Sequence, residues 1–206
     1  MIRNIVFDMG NVLIHWNPPL FMERMGLPEP DRQLLLAEVF GGVEWIQMDR
    51  GTLSFEEGLT AICTRLPERL HSTARELTVN WWKENLLPVE GMAGLVRELK
   101  ELGYGIYLLS NAKLDLPQYF NGIPGSECFD GKIVSADWKL LKPQPELYQV
   151  LFREYGLKAE ECFFTDDLNI NIEAAVLVGM SGSIFRDAAS LRRDLIAAGV
   201  GLNAEA

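Results

Sequence analysis

Four short apolar runs recur along the chain without the polar–apolar alternation of a half-exposed strand. They are IRNIVFD (Ile2 to Asp8), YGIYLLS (Tyr104 to Ser110), ECFFTDD (Glu161 to Asp167) and SGSIF (Ser181 to Phe185). Runs of this length with no polar face read as strands covered on both sides. A weaker fifth run spans Gly131 to Ala136. Helical patterns separate them. Met92, Leu95, Val96, Leu99 and Leu102 share a face and stop at Gly103, a residue type that ends helices in a left-handed turn. Leu147, Val150 and Leu151 do the same before Gly156, and NINIEAAVLVG runs to Gly179. Alternating strand and helix predicts an α/β core around a mainly parallel sheet.

The alternation fails between His15 and Pro88, where the patterns are all helical. Asn17 precedes Pro18 as a helix cap, Ser54 and Glu57 have capping-box spacing, and ERLHSTARELTVNWWKENL closes the segment as a helical stretch. An all-helical insert just after the first strand predicts a small second domain. The boundaries drawn are 1–14 and 89–206 for the core and 15–88 for the insert, with hinges at the two crossings. The C-terminal GVGLNAEA is expected to fray.

Composition narrows the partners. The 206 residues are 48% hydrophobic, enough for a sizeable core, and carry a net charge of −10 with a pI near 4.7. That balance lacks the basic footprint that nucleic acid or an anionic membrane surface requires. No apolar run approaches the ~20 residues of a membrane span, and the N-terminal one is too short for a signal peptide. Cys63, Cys128 and Cys162 are isolated and follow no metal-binding spacing. A reduced, cytoplasmic setting is the expectation. Oligomeric state is not legible.

Ligands of an open parallel sheet sit outside the C-terminal ends of its strands. The first run ends at Asp8, the second at Ser110-Asn111 and the fourth strand at Asp166-Asp167; Lys142 follows the third, before Pro143. Brought together, three carboxylates would repel one another and favour a cation. Oxygen donors without nearby His or Cys suit Mg²⁺. A lysine and a hydroxyl can hold phosphate oxygens, and an Asp can attack phosphorus. The set reads as phosphoryl transfer, where positioning and charge neutralisation dominate.

At this point FDMGNVL, LLSNAK, LKPQPELY and FFTDDLNINIEAA resemble, in order, the four motifs of the haloacid dehalogenase superfamily. The resemblance covers the whole chain, and the insert sits where that family carries a small α-helical cap. It implies a doubly wound, Rossmann-like core with an inserted all-α cap, and a Mg²⁺-dependent phosphatase working through an aspartyl-phosphate. Asp8 resembles the nucleophile and a metal ligand. Gly10 matches the residue whose backbone carbonyl binds the metal. Ser110 and Asn111 resemble the phosphate-binding pair, Lys142 the phosphate-binding lysine, Asp166 the metal acid and Asp167 its partner.

One position departs from the pattern. Most phosphatases of the family place a second Asp two residues after the nucleophile, as general acid and base; here it is Gly10. A positioned acid commonly contributes about 10²–10⁴ in rate. The DxGNV form resembles a subgroup that includes sugar-phosphate phosphatases such as those for glucose 1-phosphate. The missing proton would come from water, the substrate, Asp167 or His15. A 2-haloacid dehalogenase, which needs no metal acids, and a catalytically weak phosphate sensor are the alternatives. Trp16 and Trp45 are candidates for the substrate pocket.

Overall fold

The computed structural model describes residues 1–203. The chain forms β1 (Asn4–Phe7), helices α1 (Pro18–Arg24), α2 (Glu29–Leu35), α3 (Val43–Arg50), α4 (Phe55–Cys63), α5 (His71–Val79) and α6 (Trp82–Asn85), then α7 (Met92–Glu101) and β2 (Gly105–Ser110). It continues through α8 (Leu116–Tyr119), β3 (Gly131–Val134), α9 (Ser135–Trp138), α10 (Pro145–Tyr155), β4 (Cys162–Asp166), α11 (Asn169–Leu177), β5 (Ser181–Ile184) and α12 (Ala188–Ala197). All strand pairs are parallel, in the order β3-β2-β1-β4-β5. The direction of winding reverses between β1 and β4, which opens a crevice at their C-terminal ends.

Strand residues feed two cores by alternation. Ile5, Phe7 and Leu108 face Leu95, Leu99, Leu191 and Leu195 on one side of the sheet. Val6, Leu109 and Phe164 face Leu147, Tyr148, Leu151 and Ile172 on the other. Each such side chain, removed completely from water, contributes about 1.5–3 kcal/mol before entropy is charged. The expected α/β core with a parallel sheet is the observed one.

Some local expectations need correction. SGSIF is an edge strand, not one covered on both faces, since Ser181 and Ile184 stay exposed. The helical stretch before Pro88 is broken: α5 stops at Val79, and the break turns Trp81 inward against Trp16 and Phe21. The run at Gly131 to Ala136 stops pairing at Val134, where Ser135 begins a helical turn. Sequence reading also left out α12, although Asp187 caps it by accepting from Ser190 N at 2.7 Å. Fraying does not extend to the start of the C-terminal segment, because Val200 and Leu202 are buried; residues 204–206 lie outside the described residues.

The two crossings into the helical segment lie side by side. Ile14 pairs antiparallel with Pro88, His15 N donates to Leu87 O at 2.8 Å, and Val89 N donates to Leu13 O at 3.0 Å. Asn17 accepts from Leu20 N at 3.1 Å, and the Ser54–Glu57 capping box forms. Trp16, Phe21, Phe40, Trp45 and Trp81 pack ring against ring within the segment. Gly51, at φ 72°, ends α3 where any Cβ would strike the Ala136 carbonyl of the core. Among the described residues, no helix is long and apolar enough to cross a membrane.

Candidate active site

The β1 strand hands Asp8 to the crevice because its backbone stays in the sheet one residue longer: Asp8 N donates to Thr165 O at 3.0 Å. The chain then turns back sharply. Met9 O accepts from both Leu13 N and Ile14 N, and Asn11 adopts a left-handed φ of 55°. This turn aims Gly10 at a cavity of about 360 Å³. Asp8, Gly10, Ser110, Asn111, Lys142 and Asp167 all line it, and Asp166 lies directly beneath.

Lys142 is the hub. Its Nζ lies 2.7 Å from Asp8 Oδ1 and 2.6 Å from Asp166 Oδ2, and all three side chains are buried. The Lys142–Pro143 peptide bond is cis. Burial works against the ammonium, but the two carboxylates outweigh it and hold the lysine above its ordinary value. Burial pushes the Asp8 carboxyl up to about 6; Lys142 opposes this and Asp166 adds to it. Carboxylate oxygens of Asp8, Asp166 and Asp167 lie within 4.8 Å of one another, a spacing that can hold a metal ion.

The surrounding groups fix these acids. Asn171 Nδ2 reaches both oxygens of Asp166, at 2.9 and 3.0 Å, and Leu168 N donates to Oδ1 at 2.9 Å. Asn11 donates to Asp167 Oδ2 at 2.9 Å. Asn111 is bound to Lys142 in both directions, accepting from its backbone N at 2.8 Å and donating to its carbonyl at 3.1 Å. Its amide therefore positions the lysine. Ser110, at the end of β2, is buried against the cavity.

All seven residues singled out from strand ends and motifs thus converge on one crevice. His15 does not: it is exposed and absent from the cavity wall, because the turn after β1 directs it outward. Trp16 and Trp45 line the cavity, joined by Trp81 and Tyr119. Sequence reading passed over Asn11 and Asn171, which sit inside the quoted motifs. It also passed over Asp49 and Lys113, which line the same cavity from the end of α3 and the loop after β2. The signal for the two asparagines, and for Lys113 at the end of LLSNAK, was their place in the motifs; none marked Asp49.

Comparison with known proteins places this geometry among relatives. A family model described as haloacid dehalogenase-like hydrolase matches residues 2–179. The sesquiterpene phosphatase astK of Aspergillus oryzae is 30% identical over 86% of each chain. The D-ribitol-5-phosphate phosphatase of Bacteroides thetaiotaomicron is 24% identical, over 95% of this chain and 97% of its own. A family enzyme from the same bacterium, solved with magnesium and inorganic phosphate, shares the fold with a TM-score of 0.67 at 21% identity, covering 91% of this chain and 96% of that one.

Proposed function

Since the chain belongs to the haloacid dehalogenase-like hydrolases, we propose that it is a Mg²⁺-dependent phosphatase of a small phosphorylated metabolite, with a sugar or polyol phosphate as the first candidate. The observation that carries this reading is the convergence of Asp8, Ser110, Lys142 and Asp167 on one cavity above Asp166. Phosphatases among its relatives support it. Asp8, the Gly10 carbonyl, Asp166 and Asp167 offer only oxygen donors, a set that fits Mg²⁺. When bound, the ion would neutralise phosphate charge and orient its oxygens.

The chain's own residues do the rest. Lys142 and Ser110 hold phosphate oxygens, with Asn111 fixing the lysine backbone. Lys142 contacts Asp8 through Oδ1, which orients the carboxylate for in-line attack on phosphorus. The attack gives an aspartyl-phosphate on Asp8, which water then hydrolyses. Residues 15–88 act as a cap over the core of 1–14 and 89–206, and their closure keeps bulk water out. Retention of the nucleophile and both metal acids weighs against a sensor, and the metal acids have no use in a dehalogenase.

The test is phosphate release from a panel of sugar phosphates, polyol phosphates, nucleotides and a sesquiterpene phosphate, with Mg²⁺ and with chelator. Release that needs Mg²⁺ and is lost in Asp8→Asn is the expected result. Undiminished turnover in Asp8→Asn would end the assignment of Asp8 as nucleophile.

A further inference from the structure

An alkoxide is a poor leaving group, so cleavage of an alkyl phosphate calls for a proton at the departing oxygen. Position 10 supplies none. Space is not the reason, since a Cβ there would meet only Trp16 Cβ, at an ordinary 3.5 Å. The acids lining the cavity are Asp8, Asp167 and Asp49. Asp8 is committed as nucleophile, and Asp167 is held by Asn11 beside the other metal acids. Asp49 is outside that cluster. It stands on the last turn of α3, across the cavity from the core.

The rest of the structure holds Asp49 there. Ser135 Oγ lies 2.5 Å from the Asp49 carbonyl and accepts from Ala112 N at 2.9 Å. Ala112 follows directly on Ser110 and Asn111, so one hydroxyl ties the end of α3 to the phosphate side of the cavity. The close approach of Gly51 to Ala136 fixes the same end of the helix. Resting on the phosphatase reading, we propose that Asp49 is the acid that protonates the departing alcohol oxygen, the task for which position 10 has no side chain.

In the first step Asp8 forms a bond to phosphorus, the bond to the leaving oxygen breaks, and its electron pair takes the proton of Asp49. The alcohol departs and Asp49 is left as a carboxylate. In the second step water adds to phosphorus, the bond to Asp8 breaks, and the water proton returns to Asp49. Phosphate leaves and both acids are restored.

The surroundings suit the role. Burial pushes the Asp49 carboxyl up to about 7; Lys113 opposes this, Asp115 adds to it, and the Trp45 indole one turn earlier favours the ionised form. Tyr119, the remaining titratable group facing it, is shifted upward by burial and then by Asp115 and Asp49, and stays neutral. Lys113 is an unsuitable donor, because its ammonium is taken up by Thr78 O at 2.6 Å and by the Trp45 ring, 3.7 Å from its centroid.

The test compares two leaving groups in Asp49→Asn, Asp49→Glu and the natural protein. One substrate is the fastest alkyl phosphate of the panel. The other is p-nitrophenyl phosphate, whose phenolate departs without a proton. In kcat/KM, which reports only the steps up to departure of the leaving group, Asp49→Asn should lose about 10²-fold or more on the alkyl phosphate but less than about 10-fold on the aryl one. The fall of kcat at alkaline pH, expected near neutrality with the alkyl phosphate, should vanish in Asp49→Asn and return in Asp49→Glu. Equal losses of kcat/KM on both substrates, or an alkaline limb that survives in Asp49→Asn, would overturn the role of Asp49 and leave the phosphatase reading intact. No phosphate release by the natural protein from either substrate would overturn both.

Discussion

Two buried lysines in this molecule each sit between two aspartates, and the two groups are built differently. In the first, Lys142 bridges Asp8 and Asp166 at 2.7 and 2.6 Å, while Asn171 and Leu168 N complete the partners of Asp166. In the second, Lys113 lies between Asp49 and Asp115, and its ammonium is spent on Thr78 O and Trp45. There Asp115 is buried, and among the described residues neither of its carboxylate oxygens has a hydrogen-bond partner. The first group lies wholly outside the helical segment, on strand ends, the loops beside them and the first turn of α11. The second spans the seam between the helical segment and the core, so it exists only while the two are together. A fully partnered group holds charges still for in-line chemistry. A half-partnered one keeps its protons mobile near neutral pH, as the upward displacement of Asp49 and the downward one of Lys113, to about 8, both indicate.

The contrast breaks most visibly at Lys142. Replacing it with Met strands two buried carboxylates, and losing one partner of such a group costs about 3–5 kcal/mol. Urea unfolding in chelator should show that loss, and Mg²⁺ should recover part of it by binding the folded state. Turnover should disappear in both conditions. An unfolding midpoint unmoved in chelator would mean the lysine does not hold the acids together. Asn171→Ala comes next: it removes two hydrogen bonds to Asp166, at a stability cost of about 1–3 kcal/mol. Because it orients a proposed metal ligand, Mg²⁺ affinity from the activation curve should fall about 10–100-fold.

The unequal legibility of the two groups has a physical cause. In a parallel sheet, every strand end points to the same edge, so Asp8, Ser110 and Asp166 could be gathered from the sequence once the runs were recognised as strands. Asn171 follows from the same logic one step later, since a buried carboxylate needs donors and α11 begins just after β4. Nothing comparable links Asp49 to Lys113 and Asp115. They meet only through the docking of α3 against α9, which depends on side-chain packing at Gly51 and Ser135 and leaves no periodic trace. The same holds for the break after Val79, where local propensity favours a continued helix and the pull of Trp81 into the aromatic cluster overrides it.

Lys113→Met tests the second group with a smaller effect. The neighbouring acids can take up protons when the cation is gone, so the stability cost should stay at about 1–2 kcal/mol, below that at Lys142. Lys113 favours the ionised form of Asp49, so removing it should move the alkaline limb of kcat to higher pH. A limb that does not move would separate Lys113 from Asp49.

Asp115→Asn is the smallest change and has the opposite sign. Asp115 raises Asp49 through charge repulsion, so an amide there should move the alkaline limb to lower pH. Its own carboxyl is raised by burial, with Lys113 opposing. A carboxyl raised in the folded state is best accommodated while protonated, and that stability is lost as pH climbs through the raised value. Asparagine cannot ionise. The variant should therefore match the natural protein in acid and exceed it by up to about 1 kcal/mol at mildly alkaline pH, since an unpartnered buried charge is no longer present. Thermal unfolding across pH reads this directly. A variant less stable at alkaline pH would show that the Asp115 carboxylate is a needed partner of Lys113, and the two lysine centres would then be alike in construction.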